Sequence, residues 1–135
     1  MNIMLVGAGP VTAGLVQKLM EQGHTIAAML GQLTPSQLEI HNYGGIVVVS
    51  PETTTSTETL TKAAELGKLI YVIAGAGDSI SGWAATTRVP TFAYPPSQTD
   101  IDNLLAELRR GDAGTARADD QYRRVVLGGD VAARI

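Results

Sequence analysis

The stretch "IMLVGAGPVTAG", residues 3–14, decides how this chain folds. Four aliphatic residues, Ile3 to Val6, run into Gly7-Ala8-Gly9. A segment follows in which Val11, Leu15 and Leu19 stand four apart, joined by Val16 and Met20. The first run reads as a buried strand and the second as the apolar stripe of a helix that Gly23 stops. The same glycine spacing returns in "IYVIAGAGDSISG", residues 70–82, where Gly75, Gly77 and Gly82 follow another apolar run.

Strand-like runs recur along the chain as "NIMLV", "TIAAML", "GIVVV", "LIYVIA" and "TFAY". Helical patterns separate them. One spans Thr57 to Leu66, with Glu58 four residues before Lys62 and Gly67 as its stop. Ile80, Trp83, Ala84 and Thr87 mark a short helix ending before Pro90. Ile101, Leu104, Leu105 and Leu108 mark the last, with Asp100 and Asp102 near its start and Arg109 and Arg110 near its end, as the helix dipole favours. The link "GQLTPSQLEIHNYG" has room only for a short helix over Ser36–His41. Alternating strands and helices predict a three-layer, Rossmann-like α/β domain, a doubly wound parallel sheet of about five strands in the order 3-2-1-4-5. It is expected to occupy residues 1–110. Residues 111–135 read as a flexible or partner-docked tail, whose apolar residues cluster at Val125–Leu127 beside Gly128 and Gly129.

Bulk properties bound the function. The 135 residues suffice for one domain, and 44% apolar content with a mean hydropathy of +0.11 is that of a globular chain. A net charge of −3 and a pI near 5.2 argue against a nucleic-acid partner held by phosphate contacts. With no cysteine, there is no disulfide and no thiolate chemistry. The start lacks the basic region of a signal peptide, and no apolar run reaches the ~18 residues of a membrane span. A cytoplasmic protein without membrane association is the expectation.

A strand, G-x-G and a helix form a seat for a pyrophosphate. Gly7 permits the turn, Gly9 lets the backbone approach the phosphates, and the helix N-terminus offers free N–H groups. Pro10 suits the first helical turn. Gly7, Ala8, Gly9, Pro10 and Val11, with Gly23 and His24 after the helix, make residues 1–30 resemble NAD(P)-binding Rossmann proteins, particularly the 6-phosphogluconate-dehydrogenase-like group. The resemblance implies NAD or NADP as cofactor. The sequence departs from the pattern twice: Thr12 stands at the third glycine position, and no acidic residue or arginine follows the second strand in "AMLGQLT".

In the 3-2-1-4-5 order strands 1 and 4 are neighbours, so the two glycine loops would face each other across one crevice. The expected ligand-contacting residues are Gly7, Ala8, Gly9, Pro10, Val11 and Thr12 on one side, and Gly75, Gly77, Asp78 and Ser79 on the other. Ser50, Pro51 and Thr53, after the third strand, can add hydroxyls to a ribose or phosphate. A run such as Thr53, Thr54, Thr55 and Ser56 more commonly satisfies its own helix start. Asp78 is the one carboxylate this reading brings into the crevice, although capping a helix is the commoner role of such an Asp.

Catalytic motifs are poor. "GDSI" at 77–80 has no later histidine to serve a serine nucleophile, and it lacks the closing glycine of a nucleophile elbow. His24 and His41 show no metal spacing, and no P-loop pattern exists. No metal is expected, and whether the chain is an enzyme stays open; an NAD(P)-dependent oxidoreductase would need its site completed by another subunit. Three readings stand side by side. The first is a regulatory or subunit-type domain binding NAD(P) or a related nucleotide. The second is a non-catalytic interaction protein with a degenerate Rossmann site. The third is binding of flavin mononucleotide or S-adenosylmethionine. A homo-oligomer, with a further protein partner through the tail, completes the expectation.

Overall fold

A computed structural model of the chain describes residues 1–112. The tail expected over 111–135, with its docking role, lies outside the described residues beyond Asp112. Five strands alternate with helices: β1 (Asn2–Val6), α1 (Pro10–Glu21), β2 (Thr25–Leu30), β3 (Gly45–Val49), α2 (Thr57–Glu65), β4 (Leu69–Ala74), α3 (Ser79–Thr87), β5 (Thr91–Ala93) and α4 (Gln98–Asp112). All strand pairs are parallel. The architecture is the expected doubly wound α/β fold.

Two buried clusters sandwich the sheet. On one face Leu15 and Leu19 of α1 and Leu104, Leu105 and Leu108 of α4 pack on Ile3, Leu5, Val47, Tyr71 and Ile73. On the other, Leu60, Ala63 and Ala64 of α2 and Ile80 and Ala84 of α3 pack on Met4, Ile46, Val48, Ile70 and Val72. Burying the apolar side chains that alternate to both faces of three central strands is the main source of stability in such a sheet.

The sheet order is β2-β1-β3-β4-β5. The expected 3-2-1-4-5 order sets β1 beside β4; here β3 stands between them. The cause lies in the chain between β2 and β3. It forms no helix over Ser36–His41, only a 3-10 turn at Pro35–Gln37 closed by a Thr34–Gln37 capping box. This compact link tucks Leu33, Leu38 and Tyr43 into the core and delivers β3 to the inner side of β1. Every residue of β3 is buried, whereas Thr25 and Met29 of β2 are exposed. The purely β-branched run "IVVV" takes the centre, and "TIAAML", rich in small residues, takes the edge. In this order the winding reverses between β1 and β3, so the crevice at the carboxyl ends of those two strands is where doubly wound proteins place a ligand.

Candidate functional site

The loops after β1 and β3 meet at that crevice. Gly7 sits at φ +151°, and a side chain there would collide with the Thr12 hydroxyl, so the turn out of β1 admits only glycine. Its N–H donates to Leu30 O at 2.8 Å, and Ala8 N–H donates to Glu52 O at 2.9 Å. Gly9 then caps α1 in an extended conformation without a side-chain cap, and Pro10 takes the first helical turn. The first turn of α1 therefore turns N–H groups that have no partner within the helix toward the crevice.

The anion present is the chain's own. Glu52, in a 3-10 turn at Ser50–Glu52, projects its carboxylate onto the start of α1. Its Oε2 accepts from Val11 N–H at 3.0 Å, and its Oε1 accepts from Thr12 N–H at 3.0 Å and Thr12 Oγ1 at 2.7 Å. The Tyr94 hydroxyl adds a fourth donor to Oε2 at 2.9 Å. Burial alone pushes the Glu52 carboxyl up. The hydrogen bonds from the Thr12 backbone and side chain, from Tyr94 and from Val11 outweigh it, and hold the group below its ordinary value. The same bond to Glu52, followed by burial, raises the Tyr94 phenol. A Cβ at Gly9 would overlap the Glu52 carboxylate. Gly9 thus grants the Glu52 carboxylate access to the backbone N–H groups at the start of α1.

The neighbouring polar groups are also satisfied from within. Ser50 donates to Asp78 Oδ2 at 2.7 Å, and Asp78 Oδ1 accepts from Ile80 N–H at 2.9 Å as the cap of α3. Thr53 Oγ1 donates to Gly31 O at 2.7 Å and lies 2.9 Å from Thr55 Oγ1, which accepts from Leu33 N–H at 3.0 Å. These hydroxyls tie the loop after β3 to the link leaving β2.

The expected site residues therefore divide. Gly7 to Thr12 and Ser50, Pro51 and Thr53 come together because β1 and β3 are adjacent. Gly75, Gly77, Asp78 and Ser79 lie one strand further, at the end of β4, and reach the first group through the Ser50–Asp78 bond rather than face to face. The third members of the glycine repeat do not bring helix to sheet: Gly14 and Gly82 are exposed and, among the described residues, have nothing within 4 Å of an added Cβ. Asp78 is not the crevice's one carboxylate. Glu52 and its partner Tyr94 were not among the expected residues. The signal for Glu52 is its place in "SPET", immediately after the strand that turns out to flank β1.

Among the described residues no three His, Asp or Glu side chains gather as metal ligands, and no helix is long and apolar enough to cross a membrane. No protein-family model, curated protein or solved structure matches this chain.

Proposed function

We propose that the chain is a non-catalytic interaction domain built on a doubly wound scaffold, with a glycine turn closed by its own carboxylate. The observation that carries this reading is Glu52, whose two oxygens take the Val11 and Thr12 N–H groups a pyrophosphate would need. An incoming phosphate must displace four hydrogen bonds, or else place its charge beside that of Glu52. No acidic side chain follows β2 to hold a ribose, since Leu30 leads to Gly31 and Gln32. Ser50, Thr53 and Thr55 spend their hydroxyls on the protein itself. A cytoplasmic setting belongs to this reading, in keeping with a chain that has no cysteine.

The test is a thermal-shift panel of NAD, NADP, ATP, flavin mononucleotide and S-adenosylmethionine. A ligand of Kd ~10 µM at ~1 mM adds about 2.7 kcal/mol to stability. That amounts to roughly 10 °C for a domain of this size. No shift is expected, and a shift of that order with any member overturns the reading. Nucleotide binding is the second reading, favoured by one observation: the loop lies at the reversal between β1 and β3. It requires Glu52 to swing out, so a shift seen with Glu52→Ala but not with the unaltered chain would select it.

A further inference from the structure

The two edges of the sheet are treated differently. β5 is three residues long, is followed by Pro95 and Pro96, and runs beside a groove of about 680 Å³ bordered by Arg88, Glu107 and Arg110. Short length, proline and charge are the devices by which natural sheets keep an edge from pairing. β2 carries almost none of them. It has six residues, and from Gln22 to Leu38 the sequence holds no Asp, Glu, Lys or Arg and no proline before Pro35. Its one irregularity is a bulge at Ala27, where Ile26 pairs with Ile3 and Ala28 with Met4. Among the described residues nothing pairs with its outer side.

The backbone and side chains at this edge face outward. Leu30 O accepts from Gly7 N–H on the β1 side. Parallel strands alternate the direction of their peptide groups, so the N–H and C=O of Met29 point away from β1. The Met29 side chain is 49% exposed. It pairs with Leu5 and so stands on the face covered by α1. On α1 itself, Val11, Gly14 and Lys18 turn toward Pro95, Pro96 and Ile101 at the α4 side. Val16 and Met20 lie on the opposite flank, above β2, and Met20 is 60% exposed. Met20 and Met29 are two of only four large apolar side chains exposed among the described residues.

We infer that the β2 edge is the contact between two copies of this chain, paired antiparallel about a two-fold axis into one continuous ten-stranded sheet. The inference rests on reading the chain as an interaction domain, and it names the partner. A second copy fits because the edge is neutral: it offers no charge for an oppositely charged partner to recognise, and an identical strand meets it without repulsion. A two-fold axis across a sheet edge pairs the strands antiparallel and sets each copy's Val16–Met20–Met29 strip against the other's. Outward peptide groups that pair with no described strand and exposed methionines are covered in one step.

The experiment is light scattering of the full chain at tens of micromolar, with the Met29→Lys and Met29→Glu variants. The unaltered chain is expected at twice its 14.1 kDa mass. Each variant is expected as a monomer, because like charges meet across the axis within about a Debye length of ~8–10 Å. An equimolar mixture of the two variants is expected to restore the dimer. A monomeric unaltered chain overturns the inference, as it would if another segment of the chain covered the edge. Dimers that persist in both variants, or a mixture that stays monomeric, overturn it as well. Should either Met29 variant fail to fold by circular dichroism, Met20→Lys and Met20→Glu on the exposed flank of α1 repeat the same comparison. The ligand panel reads independently of mass: a monomer with no ligand shift fails this inference alone, and a dimer that binds a nucleotide fails the interaction-domain reading alone.

Discussion

A methyl group added at Gly9 would fall inside the volume of the Glu52 carboxylate, so Gly9→Ala has to push Glu52 off the start of α1. The backbone at Gly9, at φ −148°, is acceptable to alanine, which leaves the collision as the whole cost. Displacement strands the Val11 and Thr12 N–H groups and the Thr12 hydroxyl, and Gly9→Ala is expected to lose about 1–3 kcal/mol in denaturant melts. Glu52→Gln tests the same contact from the other side. An amide offers one acceptor oxygen and turns its NH2 toward donors, so a loss of similar size, about 1–3 kcal/mol, is expected at pH 7. The acid dependence fixes the sign. A carboxyl held below its ordinary 4.5 contributes stability that is complete above that value and is lost as pH falls through the folded-state pKa. The gap between the unaltered chain and Glu52→Gln should therefore be widest near neutrality and close on acidification below about pH 4.5. A gap that stays constant down to pH 3 would mean the carboxylate is not what α1 holds.

At the scale of elements, the glycine repeat is less uniform than its spacing suggests. Gly7 and Gly77 sit at positive φ, whereas Gly14 and Gly82 lie inside α1 and α3, exposed and with room for a Cβ among the described residues. A helix-interior glycine costs about 0.5–1 kcal/mol relative to alanine when nothing requires it. Gly14→Ala and Gly82→Ala should each add that much, raising the melting temperature by roughly 2–4 °C. Helices and strands were legible because their apolar periods are strong: Leu15 and Leu19, or Leu104, Leu105 and Leu108, announce one buried face each. The strand order was harder to read. It turned on fourteen residues between β2 and β3 whose path depends on burying Leu33, Leu38 and Tyr43, a tertiary choice with no local period. The contrast between "GIVVV" and "TIAAML" carried the information, since a strand buried on both faces favours β-branched residues throughout. Glu52 was hidden by the same step: with β3 placed away from β1, its carboxylate had no reason to meet α1.

At the scale of the whole molecule, the start of the chain, the turn between α1 and β2 and the end of α4 converge on His24. Its ring is buried, with Nδ1 at 3.0 Å from the Met1 amine, and that amine lies 3.1 Å from Asp112 Oδ2. Nε2 is buried with no partner among the described residues. A neutral ring, with Nδ1 accepting from the ammonium, suits this arrangement; a protonated ring sets two cations side by side. Burial first, and the Met1 ammonium second, lower the His24 pKa below its ordinary 6.5, and Arg109 adds to them against the opposing pull of Asp112 and of the hydrogen bond to Met1. For a base depressed in the folded state, the unfolded chain binds the proton more readily. Stability is then complete above pH 6.5 and falls as pH drops from there through the folded-state pKa. The unaltered chain should thus begin to lose stability below pH 6.5, well before Glu52 titrates. His24→Leu removes the proton acceptor while filling the same buried position, and its stability should be flat between pH 7 and pH 5. Denaturant midpoints across that window decide the matter, because a decline in His24→Leu equal to that of the unaltered chain would assign the acid sensitivity to other groups.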